Sequence, residues 1–177
     1  MNCELICKEI ITDSFILIGK IKNNEILLNL KNDILNNKDD KLNFKTNVQG
    51  SFTGFEFFLN NIYFHKFIKL IENEIKLIYN KTFIITSAWG NILKKDGEVI
   101  EHDHKGTTAF CGILYLSDGG PGTFFSDYNM SVNEEVGKFI LFSPFLKHSV
   151  IKMNNDIERV TLAFNANYVE NGKITQI

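Results

Sequence analysis

From Thr82 to the C-terminus the chain is a succession of short apolar runs, and this texture constrains its fold more than any other feature. The runs are Thr82–Leu93, Val99–His102, Thr107–Leu116, Thr123–Phe125, Lys138–Phe142, Ser149–Met153 and Arg159–Asn165, with Lys173–Ile177 as a weaker tail. Gly, Asn and Asp fill the gaps at Asp96-Gly97, Ser117–Gly122 and Asn154–Asp156, as turn chemistry requires. Many short strands at such spacing predict a sandwich or barrel in which each sheet buries one face.

The first 81 residues read differently. Ser14–Ile21 is a short apolar run with polar flanks and predicts a strand. Between Asn24 and Asn36, Ile26, Leu27, Leu30 and Ile34 recur at helical spacing with asparagines at both ends. Lys38–Gly50 is polar and reads as a loop. From Asn61 to Tyr79, the residues Phe64, Phe67, Ile68, Ile71, Ile75 and Ile78 form one stripe opposite Lys66, Lys69, Glu72 and Lys76. His65 lies in that segment as an ordinary, partly exposed helix residue. The expected fold class is therefore mainly β with N-terminal helices (α+β). No linker or internal repeat divides residues 1–177, so a single domain is expected: a strand and supporting helices in 1–81, and a β-core in 82–177.

Composition narrows the setting. At 177 residues, 44% apolar and 23% charged, the chain matches one globular domain and excludes disordered and low-complexity classes. No apolar run approaches the ~20 residues of a membrane helix, and MNCELICKEI lacks a signal peptide's apolar stretch. Cys3, Cys7 and Cys111 have no zinc-type spacing and read as free thiols of a reducing, cytoplasmic compartment. A net charge of -2 makes nucleic acid a less favoured partner.

The chemistry concentrates in scarce residues. Three of the 4 histidines, His102, His104 and His148, lie in the β-rich half, and Arg159 is the only arginine in a lysine-rich chain. An isolated His-x-His pair is a solvated strand end more often than a metal site. At i, i+2 on a strand, however, His102 and His104 project from one face, and His148 opens a strand able to return beside them. With Arg159 eleven residues further on, the ordered set favours a metal centre. Trp89 is equally a core aromatic or a pocket wall. The 16 phenylalanines are packing, Pro144 sets the turn before His148, and Gly119-Gly120-Pro121-Gly122 is a hairpin turn and not a P-loop.

Taken together, Gln49-Gly50 to Phe52, Trp89-Gly90-Asn91, His102-Asp103-His104, Gly112–Leu116, Gly137–Ser143, His148 and Arg159–Asn165 resemble the Fe(II)/2-oxoglutarate-dependent oxygenase superfamily. The likeness spans residues 46–166 and is nearest to the small, prolyl-hydroxylase-like oxygenases common in phages and marine bacteria. It implies a double-stranded β-helix (jelly-roll, cupin-like) core, with Fe(II), 2-oxoglutarate as cosubstrate and O2. His102 and His148 would be iron ligands and catalytic. Arg159 would take the distal carboxylate of 2-oxoglutarate, a task suited to a guanidinium. Thr161, Asn91 and Tyr115 would be further cosubstrate contacts, Tyr115 being equally able to make a structural bond.

One position departs from the family. Where most members have a carboxylate two residues after the first histidine, this chain has His104, which leaves the site one unit more positive. Either His104 completes the metal set, or Asp103 does through a bulge, or water does. The implied activity is hydroxylation of a protein side chain or small molecule, with release of succinate and CO2. The rivals are a three-histidine cupin-type dioxygenase that does not use 2-oxoglutarate, and a non-catalytic β-helix binding module. Lys94–Gly97 and Ser126–Glu135 are expected substrate-contacting edges, and an exposed edge of Ser14–Ile21 would support a homodimer.

Overall fold

The computed structural model describes residues 3–11, 14–39, 46–79, 82–170 and 173–175. It contains strands β1 (Cys3–Ile11) and β2 (Ser14–Ile21), helix α1 (Asn24–Asn37), strands β3 (Val48–Gln49) and β4 (Ser51–Phe52), and helix α2 (Ile62–Tyr79). Then follow β5 (Thr82–Leu93), β6 (Glu98–His102), β7 (Phe110–Tyr115), β8 (Thr123–Phe125), β9 (Met130–Val132), β10 (Lys138–Phe142), β11 (His148–Val150), β12 (Arg159–Glu170) and β13 (Lys173–Thr175). The first sheet has the order β1-β2-β10-β7-β12-β5-β4, with β13 added to β12; the second has the order β3-β6-β11-β8-β9.

Local chemistry starts and stops the helices. The Asn23 side chain accepts the Ile26 N–H at the head of α1, and Asn61 Oδ1 accepts the Tyr63 and Phe64 N–H groups at the head of α2. Asn61 also donates to Asp33 on α1 at 2.7 Å, tying the two helices together. Their apolar stripes (Ile26, Leu30 and Ile34; Phe64, Phe67, Ile71 and Ile75) are buried against the first sheet. Each such side chain contributes about 1.5–3 kcal/mol. The exposed Lys66–Glu25 ion pair contributes at most about 1 kcal/mol, so apolar burial fixes the helices in place.

Alternation along β12 explains how one sheet serves two purposes. Val160, Leu162 and Phe164 belong to the core beneath the helices, where the rings of Phe64 and Phe67 meet Phe164 with centroids at 5.8 and 6.1 Å. Arg159, Thr161, Ala163 and Asn165 line a cleft between the sheets. Close approach on the helix side requires glycine at two points. A Cβ on Gly90 would lie 2.2 Å from Ile34 Cγ1, and one on Gly112 would lie 2.1 Å from Phe164 Cζ.

Several expectations need correction. Strand β2 has no free edge: β1 pairs with one side and β10 with the other, so it offers no dimer edge. Gly119–Gly122 is not a hairpin turn, because it carries the chain from β7 in the first sheet to β8 in the second. The N-terminal third does more than buttress, since β1, β2 and β4 extend one sheet and β3 the other. In the Lys38–Gly50 loop, residues 40–45 lie outside the described residues, as do 176–177 of the Lys173–Ile177 tail. Cys3 and Cys111 are free, and the Cys7 side chain lies outside the described set. No helix among the described residues is long and apolar enough to cross a membrane.

Candidate metal centre

Strands β6 and β11 pair antiparallel with His102 directly opposite His148, their ring centroids 4.3 Å apart. The i, i+2 reading puts His104 on the same strand; in the structure β6 ends at His102, and His104 lies in the turn that follows. Its N–H donates to Pro144 O at 2.8 Å, which folds the turn back and brings its ring to 5.1 Å from His102 and 5.3 Å from His148. One ligand atom from each imidazole falls within 4.8 Å of the others. Three imidazole nitrogens gathered this closely are a donor set that fits a transition metal.

Hydrogen bonding selects the tautomer. His102 Nδ1 lies 2.8 Å from Ile100 O and His148 Nδ1 lies 3.0 Å from Leu146 O. A carbonyl can only accept, so both Nδ1 atoms carry the proton and both Nε2 atoms keep a lone pair for a metal. Burial, reinforced by the neighbouring imidazoles, lowers the pKa of His148 to about 3 and of His104 to about 4; burial also lowers that of His102. All three are neutral at pH 7, as metal ligation requires. Asp103 is engaged elsewhere, accepting the Lys105 N–H at 3.2 Å and lying 3.8 Å from Lys105 Nζ.

Arg159 opens β12 and is only 2% exposed. Its Nε donates to Pro121 O at 3.0 Å, while its terminal nitrogens make long contacts to Thr161 Oγ1 (3.5 Å) and Thr123 Oγ1 (3.4 Å). Among the described residues no carboxylate lies within 4.0 Å of it. Burial makes the guanidinium costly, the Glu134 carboxylate offsets part of that cost from beyond direct contact, and its terminal donors remain available to an anion. Strand register sets Asn91, Thr161 and Tyr115 in one row across β5, β12 and β7. Asn91 Oδ1 is buried with no hydrogen-bond partner among the described residues, so the amide can turn its NH2 group to a ligand without breaking a bond at the oxygen. The Tyr115 hydroxyl donates to Thr123 Oγ1 at 2.7 Å, and its ring lies 5.4 Å from the Arg159 guanidinium carbon.

The cleft encloses about 520 Å³ including its open mouth, and His102, His104, His148, Asn91, Thr161 and Arg159 all line it. No Asp or Glu is among its lining residues, so Arg159 is its one charged wall. Trp89 is both things its sequence context allowed. It lines the cleft and packs in a small cluster with Phe52 and Ala163. Neither Lys94–Gly97 nor Ser126–Glu135 lines the cleft; Val48, Val99 and Val150 occupy the wall instead. Sequence reasoning passed over Thr123, which receives bonds from both Tyr115 and Arg159, because a threonine opening a strand carries no local signal. It also passed over Glu134.

The chain has the fold of 2-oxoglutarate-binding non-haem enzymes. It is similar to the viral collagen prolyl hydroxylase of Paramecium bursaria Chlorella virus-1, solved with 2-oxoglutarate: TM-score 0.64, 12% identity, covering 81% of this chain and 90% of that one. It is similar to HygX of Streptomyces hygroscopicus, solved with nickel, 2-oxoglutarate and hygromycin B: TM-score 0.64, 11% identity, covering 85% and 82%. It is also similar to SnoN, a non-haem α-ketoglutarate-dependent epimerase of nogalamycin biosynthesis: TM-score 0.67, 12% identity, covering 89% and 81%. No protein-family model and no curated protein matches the chain.

Proposed function

We propose that the protein is an Fe(II)- and 2-oxoglutarate-dependent oxygenase that hydroxylates a protein side chain or a small molecule. The observation that carries this reading is a buried guanidinium with no carboxylate in direct contact among the described residues, facing the same cleft as three neutral imidazoles. We read the strand order as a double-stranded β-helix, with β5, β7, β10 and β12 facing β6, β8, β9 and β11. The whole chain, 1–177, would work as one oxygenase domain with residues 82–177 as its core. The free thiols of Cys3 and Cys111 accord with a reducing, cytoplasmic setting.

In this reading His102, His104 and His148 hold the metal. When bound, Fe(II) supplies the redox centre at which O2 is coupled to decarboxylation of 2-oxoglutarate, giving succinate, CO2 and a hydroxylated substrate. The protein binds, orients and shields. Arg159 exchanges its long threonine contacts for a bidentate bond to the distal carboxylate. Thr161 adds a hydroxyl beside it, Asn91 turns its amide to the cosubstrate, and Tyr115 supports the guanidinium with its ring. Three neutral ligands leave the metal's charge uncompensated, and a dianion in a cleft without acidic side chains offsets it. The apolar walls at Val48, Val99 and Val150 exclude water.

The all-histidine set favours one second reading, a three-histidine dioxygenase that needs no 2-oxoglutarate. A single experiment separates the two. Under anaerobic conditions Fe(II) and then 2-oxoglutarate are added, the visible charge-transfer band is recorded, and succinate is measured after oxygen is admitted. The proposal expects both signals. Their absence from folded, iron-loaded protein overturns it.

A further inference from the structure

Glu134 is a buried carboxylate outside the cleft lining, 9% exposed, in the segment between β9 and β10. Both of its oxygens are used. The Ser117 hydroxyl donates to Oε1 at 2.5 Å, and the Gly120 N–H donates to Oε2 at 2.6 Å. Ser117 Oγ in turn accepts the Val160 N–H at 2.6 Å, the amide directly after Arg159. One residue beyond Gly120, the Pro121 carbonyl accepts Arg159 Nε at 3.0 Å. The two arms of one carboxylate therefore reach the guanidinium from both sides, through its own backbone and through the carbonyl that orients it.

The surroundings fix this clamp. A Cβ on Gly120 would lie 2.3 Å from Glu134 Oε2 and 3.2 Å from Arg159 Cβ, so the loop passes here only as glycine. Next to Glu134, the Val136 N–H donates to Asp118 Oδ1 at 2.5 Å, and Glu135 pairs with Lys20 and Lys138. The Gly-Gly-Pro-Gly segment thus acquires a purpose beyond turning the chain.

Resting on the functional reading above, we propose that Glu134 is the positioning residue for Arg159, acting through Ser117 and the Gly120–Pro121 peptide to aim the guanidinium at the distal carboxylate of the cosubstrate. Its two acceptor oxygens hold a fixed reach, and its charge also stabilises the guanidinium electrostatically. Glu134→Asp keeps the charge and loses the reach. Glu134→Gln keeps the reach and can accept only one of the two donors.

The test compares wild type, Glu134→Asp, Glu134→Gln and Arg159→Ala as full-length protein. Binding is read from the fluorescence of Trp89, the only tryptophan and a cleft residue, with 2-oxoglutarate or pyruvate as titrant. Pyruvate has the keto-acid end and no distal carboxylate. Both Glu134 variants are expected to weaken 2-oxoglutarate binding about tenfold and raise its KM alike, with kcat at saturation within about twofold. Pyruvate affinity and the circular dichroism spectrum are expected to stay at wild-type values. Unchanged 2-oxoglutarate binding in Glu134→Asp overturns the inference, as does equal loss of pyruvate and 2-oxoglutarate affinity. If wild type itself does not bind 2-oxoglutarate, the functional reading falls. If only Arg159→Ala loses binding, that reading stands and the role of Glu134 falls alone.

Discussion

At the residue scale, Arg159 combines a cost to the fold with a use in the cleft. Burying the guanidinium costs desolvation, but the buried Glu134 carboxylate acts on it electrostatically, and removing one member of such a pair leaves the other uncompensated at a cost of about 3–5 kcal/mol. Arg159→Met is accordingly expected to lower the Tm of ligand-free protein while abolishing 2-oxoglutarate binding; differential scanning fluorimetry and ligand titration on one sample check both. Arg159→Ala should raise the KM for 2-oxoglutarate by about two to four orders of magnitude, the loss of two charge-assisted hydrogen bonds at roughly 1.5–3 kcal/mol each. For the metal, His104→Ala should lower affinity by more than the roughly 10- to 100-fold that loss of an outer-shell partner costs, read by equilibrium dialysis, whereas His104→Asp should retain binding by offering an anionic ligand from the same turn. The residues that make these statements possible stood out in the sequence because they are rare: few histidines and a single arginine. Glu134 and Ser117 did not, since a bond across 17 positions between two common polar residues leaves no periodicity to read.

At the scale of elements, the contact of α1 with the first sheet depends on the missing side chain at Gly90. Gly90→Ala forces Ile34 to move, and overpacking of this kind costs about 1–3 kcal/mol; combined with Ile34→Ala, the double variant should lose less than the sum of the two single losses. Urea denaturation of the single and double variants measures the difference. Asn61→Ala removes a helix cap and the bond to Asp33, an expected loss of about 1–2 kcal/mol. Elements whose own residues carry an unbroken apolar pattern were legible. Strands β2, β5, β8 and β10 occupy the segments that their apolar runs mark, and α2 follows its stripe. Those whose residues are mixed in character or too few to show a pattern were not. Strand β1 mixes Glu4, Lys8 and Glu9 into its length, as an edge strand can, and β3, β4 and β9 are two or three residues that pair only because a sheet awaits them. Likewise the run from Thr107 forms strand only from Phe110, because Thr107 bonds back to His104 in the turn that places the third imidazole.

At the scale of the molecule, two antiparallel sheets enclose a cleft whose polar groups come from separate strands, and helices cover the outer face of one sheet. The sequence texture announced the sheets and the helix cover; the strand order could not be read from it, because pairing partners such as β2 and β10 lie more than a hundred residues apart. A ligand that bridges these strands stabilises all of them together. Saturating the metal-loaded protein with 2-oxoglutarate at 100 times its Kd should add about 2.7 kcal/mol. For a domain of this size that is roughly 5–10 °C in Tm, a shift that thermal denaturation resolves.

The direct pairing of His102 with His148 has a consequence for biosynthesis. The strand bearing His148 lies between β6 and β8, both made earlier, and Arg159 enters on a strand flanked by β5 and β7. A nascent chain therefore has no complete ligand set until its last strands leave the ribosome. On the proposed reading, a metal can meet all three imidazoles only after the chain has been made through His148 and β11 has paired with β6.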